Sequence, residues 1–597
     1  MLKNSLRRII LPTIFVILAY GFWASPDFKE ISAGVAIFLF GMLALEEGFR
    51  AFTGGILEKV LKRTTDRLWK SLSFGILTTT IMQSSSLVSV IAISFLGAGL
   101  IGLAQGIGII FGANLGTTTG AWLVAGFGLK VKISAYAMPM LVFGVILIFQ
   151  KSRHLKGIGY VLAGLGFLFL GIHHMKEGFE AFKGSFDLAA YAVEGYPGLF
   201  LFTLIGVAAT VVMQSSHATL VLIITALAAQ QISYENALAL AIGANVGTTI
   251  TAILGSLSSN EQGKRLAGAH LIFNAVTGVI AILFIHQLLV AVDFISEVVG
   301  IDAEDFTLKL AVFHTLFNLI GIIVMLPFVN RLVIYLERLI KADKEHFAKP
   351  KYLNDSALEF GDTAIEAMRQ ETLNIYDKAT EIIARGLSLN KQDIFSGEKL
   401  KEVIRKRAKP VDYDLEDAYD RYIKTLYSAL LEFSYRVPAD MSEPGQLEDI
   451  RNCNQIIIQT LKDVKHLQKN MLGFIASLNP DMRDEYNLIR RRIAKVLRRL
   501  EKIRQGEKTR LTYEALDEML VKNSQGLHRR LDELIRSGRI TAEMAISLMN
   551  DSRYAYRIIR NLIEINQRLV TADRAISEQV EAGIEVTTVQ KQLPLSE

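Results

Sequence analysis

Thr80-Ile-Met-Gln-Ser-Ser-Ser86 returns 131 residues later as Val211-Val-Met-Gln-Ser-Ser-His217. Thirty-one residues after each Gln stands an Asn in a second shared motif. Gln83 leads to Asn114 in Gly112-Ala-Asn-Leu-Gly-Thr-Thr-Thr119, and Gln214 to Asn245 in Gly243-Ala-Asn-Val-Gly-Thr-Thr-Ile250. Upstream, Gly41 to Phe52, with Glu47-Gly-Phe49 and Ala51-Phe52, is matched at an offset of 130 by Gly171 to Phe182, with Glu177-Gly-Phe179 and Ala181-Phe182. Two polar motifs held at equal spacing in apolar surroundings define an internal repeat.

The surroundings are those of a membrane protein. Residues 1–340 hold 22 of the 65 Lys+Arg and 18 of the 59 Asp+Glu, so a charge-poor part precedes a charge-rich soluble one in this chain of 597 residues. Net charge +6 is modest for the length. Basic loops on a cytoplasmic face account for it, and no nucleic-acid signature accompanies it. The single Cys453 excludes a disulfide framework and a cysteine zinc site. There is no Walker A loop, nucleophile elbow or His-Glu-x-x-His, which argues against ATP-driven transport by this chain and against an enzyme.

Spans are expected at Ile9–Trp23, Ile31–Leu45, Ser134–Gln150, Gly157–Ile172, Leu266–Leu289 and Leu308–Val329. Trp23-Ala-Ser25 is a poor cleavage site, so the first is read as a retained membrane helix rather than a signal peptide. Basic loops at Arg50–Lys70, Lys151–Lys156 and Lys264-Arg265 stay inside, with the N-terminus and Arg331, Arg338, Lys341 and Lys344. Lys176–Glu194 and the acidic run Asp293, Glu297, Asp302, Glu304 and Asp305 fall outside. Each nearly uncharged block, Ser71–Leu129 and Pro197–Asn260, must then cross an odd number of times. Their wealth of Ser, Thr, Gln, Asn and Gly suits broken or re-entrant helical hairpins that line a cavity. Repeat 1, about residues 31–156, and repeat 2, about 157–290, are thereby inverted, a transporter architecture with substrate at the midplane.

The expected fold is all-α: a polytopic membrane domain over 1–340 with its final span at 308–330, a linker over 341–354, and a cytoplasmic antiparallel helix bundle over 355–575. Apolar stripes at helical spacing, such as Met544, Leu548, Ala555, Ile558, Leu562, Ile565 and Leu569, support the bundle. Residues 576–597 are expected to be a disordered tail.

The motif chemistry points to an oxyanion, a hard cation, or both. Gln, Ser and Thr supply donors and acceptors without charge, and broken helices add positive N-terminal ends. A buried dianion without Lys or Arg is costly, and a co-bound cation compensates it, which is the structural meaning of symport. One Gln-Ser-Ser run alone would fit helix packing, where Ser, Thr and Gly are common. Two copies with matched partners fit a site. His217, in place of Ser86, is either a pH-sensitive group beside the site or a packing residue. His270-Leu-Ile-Phe-Asn274 and His314-Thr-Leu-Phe-Asn318 lie near span ends, where helix-to-helix hydrogen bonding is ordinary. Glu416-Asp-Ala-Tyr-Asp420 and Glu448-Asp449 read as solvated surface rather than metal ligands.

These doubled motifs, with the His-x-x-Phe-Asn pair, resemble the type II sodium–phosphate cotransporters over residues 30–330. Residues 355–575 resemble a PhoU-type helical domain, and the combination resembles the bacterial branch. The resemblance implies sodium-coupled movement of inorganic phosphate across the plasma (inner) membrane, with no cofactor beyond the coupling sodium ions. It implies that Gln83, Ser84, Ser85, Gln214, Ser215 and Ser216 face phosphate. Asn114, Thr117, Thr118, Asn245, Thr248 and Thr249 would face sodium or support the hairpins. The departure is His217 for the third Ser. A membrane-tethered phosphate sensor, a proton-coupled or export-directed transporter, and a carrier of another small anion remain open. So do a regulatory partner and self-association through the bundle.

Overall fold

The computed structural model describes residues 12, 15, 16, 18–53, 67–129, 133–183, 195–257, 259–341, 348–359, 361–437, 445–505 and 530–589. Part of the expected first span, most of the Arg50–Lys70 loop and the loop after residue 183 lie outside them. Every regular element among the described residues is helical. The chain divides into two compact units, residues 1–342 with 354–356, and residues 343–353 with 357–597.

In the first unit, seven described helices are long and apolar enough to cross a membrane. Two of them, α1 (Pro26–Thr53) and α6 (Arg153–Lys183), form a close pair. A Cβ on Gly34, Gly41 or Gly48 would meet the carbonyl oxygens of Gly171, Gly164 and Gly157 at 2.8, 2.8 and 2.9 Å. Only glycine permits backbones so close. Rising numbers in α1 meet falling numbers in α6, so the pair is antiparallel. Gly34 and Gly41 correspond to Gly164 and Gly171 in the repeat. The Gly34–Gly171 and Gly41–Gly164 contacts are therefore exchanged by a local two-fold axis across the pair.

The motif blocks fold alike. In the first, α2 (Leu68–Met82) is followed by α3 (Ser85–Gly97) and α4 (Leu103–Trp122), which continues as a π-helical turn over Leu123–Gly128. Next comes α5 (Ile133–Ile148), then α6. In the second block, α7 (Gly195–Met213), α8 (Ser216–Ala228), α9 (Tyr234–Gly247) and α10 (Thr249–Ser256) follow the same plan. A Cβ on Gly75 would lie 2.1 Å from Ile109 O, and one on Gly112 2.1 Å from Leu72 O. One repeat later the figures are 2.3 Å from Gly206 to Leu240 O and 2.0 Å from Gly243 to Thr203 O. With Gly116 against Thr79 and Gly247 against Thr210, both helices of each pair rise together, so α2 runs parallel to α4 and α7 to α9. Between parallel partners, α3 and α8 must run back. At 13 residues each, they are short of the roughly 20 needed to cross a bilayer.

The unit closes with α11 (Glu261–Leu283), α12 (Ile285–Val298), α13 (Phe306–Met325) and α14 (Val329–Leu339). The apolar run read as one span over Leu266–Leu289 is interrupted at Phe284, whose backbone leaves helical geometry (φ −107°, ψ 25°). Hydropathy alone does not mark that break.

The second unit is built on α15 (Gly361–Gly386), α16 (Thr425–Arg436), α17 (Gln446–Ile475), α18 (Pro480–Arg504) and α19 (Ala542–Val589). Gly445, at φ +95°, precedes α17, and the Asn479 side chain caps α18 with Pro480 in its first turn. The Arg490 side chain is fully buried and donates to the carbonyls of Leu387, Ser388 and Arg407. The last helix, α19, is drawn on to Val589, no proline interrupting it before that residue.

Candidate substrate and cation site

Each hairpin turns on a glutamine in the left-handed region, Gln83 at φ +52° and Gln214 at φ +53°. Such geometry is costly for a residue with a side chain and gathers at functional sites. The Gln83 N–H closes α2 on Thr79 O at 2.8 Å. Its side-chain amide donates to Thr80 O at 2.6 Å and to Thr119 Oγ1 at 3.1 Å, so both amide hydrogens are engaged. Gln214 is exposed.

The next residue caps the returning helix. Ser84 Oγ accepts from Leu87 N–H at 3.2 Å, and Ser215 Oγ from Ala218 N–H at 3.1 Å. A hydroxyl that accepts at a cap keeps its hydrogen. Ser84 is thus free to donate, and Ser215 spends its proton only on Met42 Sδ at 3.7 Å, a weak bond that an anion displaces. The N–H groups of Ser85, Ser86, Ser216 and His217 begin α3 and α8 without intrahelical acceptors. Ser85 and Ser216 are buried.

The two hairpin tips meet. His217 Nδ1 lies 3.4 Å from Gln83 O, and Ser86 Oγ lies 3.3 Å from Thr251 Oγ1. Two helix N-termini therefore share one place, and no Lys or Arg occurs from Ser71 to Leu129 or from Pro197 to Asn260. Free donors and positive helix ends without fixed charge are the chemistry of an oxyanion site.

The threonines of the second motif are set the other way. Thr117, Thr118, Thr248 and Thr249 donate their hydroxyl hydrogens to Ala113 O, Leu115 O, Ala244 O and Val246 O, at 2.9, 2.7, 3.1 and 2.8 Å. What remains on each oxygen is lone pairs, which suit a cation and not an anion. Asn114 donates to Ile110 O at 3.0 Å. Asn245 instead donates to Asn274 Oδ1 at 2.8 Å and Asn318 Oδ1 at 3.1 Å.

That buried asparagine cluster is where reading the sequence fell short. The His-x-x-Phe-Asn motifs drew attention to His270 and His314, yet it is their asparagines that bond to the repeat motif. The matched spacing of the two motifs was the available signal. Both histidines are buried; the two ring nitrogens of His270, with Asn274 Nδ2 and Thr277 Oγ1, have no hydrogen-bond partner.

For metals, Glu30, His174 and Glu177 bring ligand atoms within 4.8 Å of one another. His174 already pairs with Glu30 at 2.5 Å and Glu177 with His173 at 3.3 Å, which accounts for the grouping. In the second unit Glu416, Asp417, Asp420 and Asp449 each pair with Lys465, Arg421, Lys424 and Arg568 respectively, a solvated surface.

An all-α, multi-pass membrane unit with uncharged polar motifs at its helix turns has the architecture of a transporter rather than an enzyme. Residues 37–177 and 198–302 match the Na+/Pi-cotransporter family, so this membrane part is similar to that family. It is 28% identical over 416 residues to the Escherichia coli K12 protein named "Putative inorganic phosphate export protein YjbB", covering 69% of this chain and 71% of the relative. The Salmonella typhimurium protein of the same name is 27% identical over the same shares. The Bacillus subtilis "Uncharacterized protein YqeW" is 29% identical over 305 residues, 50% of this chain and 94% of the relative. No solved structure matches the chain.

Proposed function

We propose that the chain is a secondary active transporter of inorganic phosphate, coupled to sodium and working by alternating access. The observation that carries this is the meeting of the α3 and α8 N-termini, capped by Ser84, whose hydroxyl is left to donate, and by Ser215, whose hydroxyl is held only by Met42 Sδ. Phosphate is assigned to Gln214, Ser84, Ser85, Ser215 and Ser216, with Gln83 fixing the turn. Sodium is assigned to Thr117, Thr118, Thr248 and Thr249, braced by Asn114 and Asn245. The two hairpins are read as re-entrant and the repeats as inverted, supported by the antiparallel, two-fold contacts of α1 and α6. The relatives named for phosphate export favour a second reading in which net movement is outward.

Basic loops orient the chain in the plasma membrane with both termini cytoplasmic. Cys453 is buried, and burial pushes its thiol up to about 12, so it is a poor nucleophile near neutral pH. With Cys453 replaced, Lys29→Cys and Glu180→Cys should be labelled from outside and Ser152→Cys from the cytoplasm. Labelling of Lys29→Cys and Glu180→Cys from opposite sides would contradict the antiparallel pair and the inverted repeat.

The second unit is proposed to be PhoU-like and regulatory. A chain truncated after Arg338 keeps every proposed ligand, so the purified truncated protein and the full chain should both bind phosphate more tightly in sodium than in potassium salts. Reciprocal linkage requires phosphate to raise sodium affinity by the same factor. Equal phosphate affinity in both salts for both proteins would remove sodium from the proposal. Loss of binding only on truncation, in folded protein, would make the second unit part of the site.

A further inference from the structure

The two halves differ at one facing pair. In one, Ser86 Oγ lies 3.3 Å from Thr251 Oγ1. One repeat apart, the corresponding residues are His217 and Gly120. A Cβ on Gly120 would lie 2.5 Å from His217 Nε2 and 2.9 Å from Gln83 Oε1. A threonine there would collide with the imidazole. The larger residue on one side is thus matched by loss of the whole side chain on the other, which a histidine merely tolerated in packing would not require.

The ring is held in place. Phe38 meets it edge-on, with centroids 5.7 Å apart, and Nδ1 lies 3.4 Å from Gln83 O. A proton on Nδ1 serves that carbonyl and leaves a lone pair on Nε2. His217 is 6% exposed, and its Nε2 is buried with no hydrogen-bond partner. It sits on the same side of Gly120 as Gln83 Oε1, another acceptor, where the two helix N-termini meet. A buried acceptor without a donor, as Nε2 is, is where a proton would bind.

We propose that His217 is the proton-binding ligand of this site, so that the hydrogen phosphate dianion enters together with one proton shared between Nε2 and a phosphate oxygen. This rests on the phosphate reading above. The proton comes from the medium and leaves with phosphate; only N–H and O–H bonds form and break. The pair carries one negative charge instead of two, which lowers the compensation a site without Lys or Arg needs from sodium.

The groups around His217 leave it as the titrating element. No charged residue lies between Ser71 and Leu129, nor in α7, which has Tyr196 in its first turn. On α1, Phe38 stands eight residues from both Glu30 and Glu46, about 12 Å along the helix. The charged residues of α6 lie at its two ends, with Tyr160 between, and α9 has Tyr234 and Glu235 in its first turn. From α13, Lys309 is paired with Asp293 at 2.8 Å, and His314 is the remaining titratable group.

The test is equilibrium binding of inorganic phosphate to the purified full chain between about pH 6 and about pH 8, expressed per dianion. One linked proton makes wild-type affinity rise about tenfold per unit as pH falls. Gly120→Thr alone should lose folded protein, and adding His217→Ser should recover much of it by recreating the Ser86–Thr251 pair, with the Gln83 side chain shifting from its 2.9 Å contact. That double variant should bind phosphate with a flat pH profile, and His314→Asn should keep the wild-type slope. If the double variant does not fold, His217→Asn serves as a polar residue that does not titrate. An unchanged slope without His217 would place the proton on phosphate itself and overturn the proposal, as would a flat wild-type profile. Absence of phosphate binding by the wild type would overturn this proposal and the phosphate reading together.

Discussion

Gln214→Glu is expected to weaken phosphate binding about a thousandfold near neutral pH. The exposed amide at the tip of the second hairpin is the proposed donor to the oxyanion, and its replacement is nearly isosteric but negative. Two unit charges about 4 Å apart at an effective dielectric near 20 interact by about 4 kcal/mol, which is about three decades in affinity. Protonation of the new carboxyl removes the repulsion, so the loss should ease as pH falls. Gln83→Glu acts differently: it forfeits the two bonds to Thr80 and Thr119 and adds the charge. It should weaken phosphate binding and also lower stability. Phosphate and sodium affinities of both variants across pH decide the matter. Unchanged phosphate affinity with tighter sodium binding in Gln214→Glu would move that residue to the cation.

A second large effect is expected in the scaffold. Gly112→Val and Gly243→Val should each cost more than about 3 kcal/mol and leave little folded protein. The added Cβ would lie 2.1 Å from Leu72 O and 2.0 Å from Thr203 O respectively. Both obstacles are backbone of a packed helix and cannot turn aside. Gly126 has nothing within 4 Å of such a Cβ, so Gly126→Ala should stay within about 1 kcal/mol of the parent. Thermal midpoints in detergent report all three. A normal midpoint for either valine variant would contradict the parallel packing that turns α3 and α8 back toward the site.

The motif residues were legible in the sequence because polar side chains stand out in a block that has no other use for them. Gln83, Gln214 and their serines fall at the two turns for that reason. What each hydroxyl offers was not legible. Ser84 accepts at a helix cap while Thr117 donates to its own helix, a difference in geometry between residues of similar chemistry. Helix direction was also hidden: Gly75 and Gly112 read as small residues, and only their contacts with Ile109 and Leu72 show that α2 and α4 run parallel. The bonds from Asn245 to Asn274 and Asn318 join three helices, and no local pattern encodes them. Phe284 breaks a helix inside an apolar run, where hydropathy continues unchanged.

The central claim is that phosphate moves through this chain with sodium. It is tested most directly by flux of labelled phosphate in proteoliposomes of the full chain, with an imposed sodium gradient compared with an equal potassium gradient. The account predicts concentrative phosphate movement down the sodium gradient and none with potassium, and near-complete loss of that movement in Gln214→Glu. Folded wild-type protein that binds phosphate but moves none in either salt or direction would contradict it and identify a membrane-tethered sensor instead.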